Sequence, residues 1–193
     1  MGTTQPIRSK KDLEQFMTYY KTVKPNPRNY TLIVMGIHTA LRISDILNLR
    51  WNDVFDFENN CYRSHLAIRE HKTGKNTVIA INLHIKEALI NFRQTRSVSP
   101  EDFLFTKNTN YQIPISRTQA FRIIKEAASG ISDREHISCH SMRKTFGYYA
   151  WKQGTPPALL MDIYNHSSYQ ITKKYLGIGQ DERDDIFLKI DIT

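Results

Sequence analysis

Apolar residues recur at helical spacing through most of the chain, and one stretch breaks that pattern. From Tyr62 to Glu70 and again from Asn76 to Asn82 there are short runs with β-branched residues, separated by His71-Lys72-Thr73-Gly74-Lys75, which has the composition of a hairpin loop. This patterning predicts a mainly α domain carrying one small antiparallel sheet, an α+β arrangement. Ser9, with Asp12 three residues on, opens a helix through about Tyr20, and Asn26-Pro27 opens a second that carries Leu32, Ile33, Met35 and Ile37. A third run places Ile43, Ile46, Leu47 and Leu49 at helical spacing and is expected to end at Trp51. After the hairpin, helices are expected near Leu83 to Arg96, Arg117 to Ser129, His140 to Gln153, Pro157 to Tyr164, Ser168 to Leu176 and Asp181 to Ile190.

With 8 glycines and 7 prolines in 193 residues, no low-complexity tract and no fixed-period repeat, nothing marks a linker between two large domains. A single domain over 1–193 is expected, with residues 1–8 as a tail, 180–193 as a terminal helix and no separate domain ahead of it. The 27 lysines and arginines against 19 acidic residues give a formal charge of +8, which favours a polyanionic partner, nucleic acid first. No run approaches the roughly 20 apolar residues of a membrane-spanning helix, and Met1 to Lys11 lacks a signal-peptide core, so a cytoplasmic protein is expected. Cys61 and Cys139 are far apart and fit no Cys-x-x-Cys pattern, which points away from a disulfide framework and a structural zinc site.

Six residues stand out as candidates for chemistry: Arg42, Lys72, His140, Arg143, His166 and Tyr175. Five of them bear or can bear positive charge. A phosphodiester passing through a five-coordinate phosphorane gains negative charge on its non-bridging oxygens, and fixed arginines can hold that charge by bidentate hydrogen bonds. Each residue also has an ordinary explanation. His140 and Arg143, three apart on a helix, could grip one phosphate or form a solvated basic face. Arg42 could be oriented by Asp45, or the two could be a surface ion pair worth at most about 1 kcal/mol. Lys72 at a hairpin tip could deliver a proton to a leaving alkoxide or simply keep the strand edge soluble. Tyr175 could be a nucleophile assisted by neighbouring cations or a packing residue, and on a continuous helix it would lie about 12 Å from His166.

Together the six match a known family in order and spacing. Thr39-Ala40-Leu41-Arg42-Ile43-Ser44-Asp45-Ile46-Leu47 resembles the first arginine box of the tyrosine recombinases, the phage integrase family. Lys72-Thr73-Gly74-Lys75 with Val78-Ile79-Ala80-Ile81 resembles their hairpin lysine, and His140-Ser141-Met142-Arg143-Lys144-Thr145-Phe146 their His-x-x-Arg box. Asn165-His166-Ser167-Ser168, with Tyr175 nine positions after the histidine, resembles the last histidine and the nucleophile.

The resemblance implies a catalytic-domain fold and double-stranded DNA as partner, with self-association from dimer to tetramer on DNA. It further implies that Tyr175 attacks the scissile phosphorus to give a 3′-phosphotyrosyl link while Lys72 protonates the 5′-oxygen. Arg42 and Arg143 would clamp the phosphate, with His140 as proton acceptor or phosphate donor, His166 bonded to the phosphate, and Asp45 orienting the first arginine. No cofactor and no metal are implied: there is no P-loop pattern, and Asp45, Asp53 and Asp56 are scattered rather than clustered.

Two features depart from the family. Asn165 stands where glycine is common, and asparagine tolerates a left-handed backbone. Only 41 residues precede Arg42, where most members carry a separate helical domain, so the chain resembles either a catalytic fragment or the short stand-alone recombinases that invert fimbrial promoters. The terminal segment, with Ile186, Phe187 and Ile190 on one stripe, either packs on its own domain or is exchanged between protomers through the flexible Gly177 to Gln180 stretch. Two functions remain open at this point: a recombinase working through Tyr175, and a catalytically silent integrase-like DNA-binding module.

Overall fold

Every residue from Thr31 to Ile37 is buried, so the helix that carries them has no solvent face and must be the axis around which the rest packs. The computed structural model describes residues 4–107, 110–132 and 134–190, side chains 181, 185 and 186 excepted. In chain order the helices are α1 (Lys10–Thr22), α2 (Pro27–His38), α3 (Ile43–Leu47), α4 (Trp51–Val54), α5 (Leu83–Arg93), α6 (Arg117–Ala127), α7 (Cys139–Lys152), α8 (Pro157–Tyr164), α9 (Tyr169–Leu176) and α10 (Gln180–Lys189). The strands are β1 (Phe55–Asp56), β2 (Cys61–Tyr62), β3 (His65–Arg69), β4 (Asn76–Ala80), β5 (Thr106–Lys107) and β6 (Asn110–Pro114), and two 3₁₀ turns lie between α6 and α7. The fold is mainly helical with small antiparallel sheets.

Local chemistry sets the helix starts. Ser9 Oγ accepts from the Asp12 N–H, and Asn26 Oδ1 accepts from the Asn29 N–H with Pro27 in the first turn, as the sequence predicts. α2, the central helix, packs against α1, α5 and α7. Its approach to α7 depends on Gly36, where an added Cβ would lie 2.4 Å from Met142 Sδ. A smaller apolar cluster of Ala40, Leu160, Tyr164, Leu176 and Ile178 seats α8 and α9 on α7. The amino-terminal segment runs extended along α7: the Ile7 N–H donates to Thr145 Oγ1, Lys144 Nζ to the Thr4 carbonyl, and Arg8 Nη2 to the Gly177 carbonyl.

Three features differ from expectation. The third helix ends at Leu47, and Trp51, fully buried, opens α4 instead of closing α3. The chain is extended at Arg50, whose N–H is capped by Asp53 Oδ2. The hairpin is shorter than the two patterned runs, pairing His65 with Ala80 through Arg69 with Asn76. Among the described residues there are also three two-stranded sheets rather than one, because β1–β2 and β5–β6 contain strands of two residues, too short to show a period. Among the described residues no helix is long and apolar enough to cross a membrane.

Candidate active site

The site lies where the end of α2, the β3–β4 loop, the start of α7 and the α8–α9 turn converge. After α2 the chain turns through Ala40, which holds a left-handed backbone (φ 55°), an uncommon conformation for a residue with a Cβ. That turn presents the Ala40 carbonyl to the Arg143 guanidinium, which donates to it from α7. It also places Arg42 at the N-cap of α3, half-buried and paired through Nη1 with Glu70 Oε2.

Lys72 sits exposed in the β3–β4 loop, whose closure follows from two backbone bonds: Gly74 N–H to the Glu70 carbonyl (2.8 Å) and Glu70 N–H to the Lys75 carbonyl (2.9 Å). Gly74 takes φ 67°, which suits its lack of a side chain. The Asp45 carboxylate was expected to orient Arg42. Its Oδ1 instead accepts from the His71 N–H at 3.0 Å, and Glu70 is the carboxylate that meets the arginine. The reason is directional: Asp45 lies inside α3 and is buried with Oδ1 facing the loop, while Glu70, the residue just after β3, lies directly beside the guanidinium.

α7 begins at the Ser138 cap, reinforced by reciprocal bonding between Ser138 and Ser141, and its first turn carries His140. One turn on, Arg143 is 4% exposed and lies 4.7 Å from the Tyr164 ring centroid. Arg42, Lys72, His140 and Arg143 line one cleft of about 490 Å³, together with His71 and Arg117.

His166 and Tyr175 do not follow the spacing of a continuous helix. α8 stops at Asn165, in the left-handed conformation (φ 54°, ψ 49°) that the sequence suggests it tolerates, and α9 starts anew after the Ser168 cap. The reversal brings the His166 and Tyr175 rings to 5.2 Å between centroids, edge to face, while the His166 Nδ1 is 3.1 Å from Thr172 Oγ1. Tyr164 packs against both, at 5.6 Å from His166 and 5.3 Å from Tyr175, and its hydroxyl donates to the Arg143 carbonyl. Lys144 Nζ lies 5.1 Å from the Tyr175 ring centroid.

The charges act on these groups in a consistent direction. Burial raises the Tyr175 phenol above its ordinary value, and the charge and hydrogen bonding of Arg143, with the charge of Arg42, pull it back down. Desolvation lowers His140, helped by Arg117, Lys144, Arg143 and Arg42. Desolvation likewise lowers His166, helped by Arg143 and Arg42. Both histidines are therefore biased toward the neutral form, which can accept a proton. Burial opposes ionisation of Glu70, but hydrogen bonds from Thr73 and Arg42 and the charges of Arg42 and Arg143 hold its carboxyl below the usual range. Among the described residues no group of three or more His, Cys, Asp or Glu side chains is placed to hold a metal ion.

Residues 8–180 match the model of the phage integrase family. The chain belongs to that family. It is 39% identical over 181 residues to the probable integrase/recombinase YoeC of Bacillus subtilis (strain 168), covering 94% of this chain and 93% of that protein. In fold it is similar to the crystal structure of XerA recombinase, with TM-score 0.76, 18% identity, and coverage of 100% of this chain and 66% of that one. It is also similar to a lambda integrase dimer bound to a COC′ core site, with TM-score 0.67, 17% identity, and coverage of 100% of this chain and 53% of that one. The chain thus spans just under two thirds of the XerA chain and about half of the lambda integrase chain. Sequence order singled out the six candidates. It did not single out Arg117, which lines the same cleft, nor Glu70 and Tyr164, which meet Arg42 and Arg143, because nothing in their spacing shows those contacts.

Proposed function

We propose that the protein cuts and rejoins duplex DNA through a 3′-phosphotyrosyl intermediate on Tyr175, without a metal ion. The observation that carries this reading is the position of Arg143, which lines the cleft shared with Arg42, Lys72 and His140 and also acts on the Tyr175 phenol. A phosphate seated between the two arginines has its non-bridging oxygens neutralised by fixed donors before the phosphorane forms. The phenol oxygen attacks phosphorus, and its proton passes to neutral His140. The bond to the 5′-oxygen breaks, and Lys72 protonates that oxygen as it leaves. His166 holds a phosphate oxygen. One phosphodiester is exchanged for another, so the reverse attack by a 5′-hydroxyl rejoins the strand without a nucleotide cofactor.

The +8 charge and the family's place among recombinases support double-stranded DNA as substrate, and assembly of two to four protomers on it. Phe187, Leu188 and Ile190 of the terminal segment are 74%, 83% and 62% exposed, which favours exchange of α10 with a neighbour over packing on its own domain. The stripe's third member, Ile186, lies outside the described side chains. The test is a set of nicked suicide duplexes tiled from the DNA flanking the gene. A covalent protein–DNA adduct is expected with the parent chain and none with Tyr175→Phe; retained binding without any adduct would make the chain a DNA-binding module.

A further inference from the structure

Among the described residues Glu70 is the buried acidic side chain whose carboxylate meets Arg42, an arginine that lines this cleft, and the reaction scheme gives it no task. It is 3% exposed and collects three side-chain partners: Arg42 Nη1 on Oε2, Thr73 Oγ1 on Oε2 at 3.0 Å, and Thr77 Oγ1 on Oε1 at 3.2 Å. Its backbone N–H and carbonyl close the loop to Lys75 and Gly74. Both carboxylate oxygens are therefore held by hydroxyls of one hairpin, and the guanidinium that hydrogen-bonds to the carboxylate from another element is that of Arg42.

We propose that Glu70 is the positioning residue of Arg42, setting the plane in which that guanidinium meets the scissile phosphate. The inference rests on the recombinase reading above. A guanidinium has five donors in a fixed fork, and committing Nη1 to a buried carboxylate leaves the Nε and Nη2 side of the fork for two phosphate oxygens. Arg42 has a long, rotamer-rich side chain, and without a partner it would reach the same phosphate in many orientations. Thr73 and Thr77 hold the carboxylate, and the carboxylate holds the arginine. This is an outer partner orienting a group that touches the reacting atoms, a role whose loss commonly costs about 10–100-fold in activity.

The test is single-turnover cleavage of the nicked duplex, with DNA affinity and melting temperature measured alongside. Glu70→Ala and the isosteric, uncharged Glu70→Gln are expected to slow adduct formation about 10–100-fold while leaving affinity within about threefold. In an Arg42→Ala background the same Glu70 substitutions are expected to change the rate by less than about twofold, since the residue acts only through that arginine. The loss should persist on a duplex with a 5′-bridging sulfur, whose thiolate leaves without the Lys72 proton. Parent-like rates in both Glu70 variants, an additive loss on top of Arg42→Ala, or disappearance of the loss with the sulfur substrate would each overturn the proposal. Absence of adduct from the parent chain would instead overturn the recombinase reading.

Discussion

Replacing Gly147 by alanine tests how Tyr175, the proposed nucleophile, is seated. An ideal Cβ at Gly147 would lie 2.4 Å from Tyr164 Oη, 2.8 Å from Tyr164 Cζ and 2.5 Å from Leu176 Cδ2. Ordinary contacts are about 3.5–4.0 Å, so both neighbours must retreat by about 1 Å. Neither is free to do so. Tyr164 and Leu176 are 1% and 0% exposed, and the Tyr164 hydroxyl donates to the Arg143 carbonyl at 2.7 Å. Overpacking costs about 1–3 kcal/mol and a disrupted hydrogen bond about 1 kcal/mol, against about 1 kcal/mol recovered from the better helix propensity of alanine. The net loss is about 1–3 kcal/mol, or roughly 2–12 °C in melting temperature for a chain of this size.

The functional effect should exceed the loss of stability. Leu176 follows Tyr175, and a displacement of about 1 Å at a reacting group can cost about 100-fold in rate. Thermal melting, and adduct formation on a nicked duplex at a temperature below the transition, give the two readouts. Tyr164→Phe removes the hydroxyl that meets the new methyl, so Gly147→Ala in that background should lose less than in the parent. A Gly147→Ala protein that melts within about 1 °C of the parent and forms adduct at the parent rate would refute this account of the packing.

Four further outcomes are expected. Burial, with the charge of His84, pushes His38 down to about 4, so between that value and 6.5 the unfolded chain binds more protons than the folded one and stability falls as pH falls. The loss across that window is up to about 3 kcal/mol, and melting scans from pH 7 to pH 4 should show a shallower slope for His38→Gln. Arg42→Ala or Arg143→Ala should raise the cleavage barrier by about 2.7–4 kcal/mol in single-turnover assays while leaving most nonspecific binding intact, and an equal loss of binding would mark them as ordinary phosphate contacts. DNA affinity should fall with salt at a log–log slope of about −0.9 per phosphate neutralised, which titrations at several salt concentrations will read. Truncation after Gln180 should preserve binding of single protomers to DNA and reduce recombination, and unchanged recombination would remove the exchange of α10.

The legible parts of the fold were those governed by local chemistry. Ser9 and Asn26-Pro27 mark helix starts because their side chains or ring satisfy the first turn directly, and Asn165 marks a left-handed stop because few residues accept that backbone. What escaped is set by tertiary geometry. Trp51 looks like the end of an apolar run, yet the Arg50 turn that separates it from α3 depends on the carboxylate of Asp53. Asp45 has the right spacing to serve Arg42, but spacing within a short helix does not show which way a carboxylate faces, and the carboxylate that meets Arg42 belongs to Glu70, 28 positions on and just past β3. The meeting of His166 and Tyr175 likewise depends on the reversal between α8 and α9, which neither residue encodes alone.

The fastening of Arg8 has a mechanical consequence. Its guanidinium donates to the carbonyl of Gly177, two positions past the tyrosine, and its Nε lies 3.4 Å from Glu182 on α10, whose other oxygen accepts from the Gly179 N–H. Tension applied at Thr4 would pass first into α7 through Lys144 and Thr145, and then through Arg8 to the ends of α9 and α10. The amino-terminal segment and the helix that carries Tyr175 therefore share an anchor, so changing the load on one should retime the other.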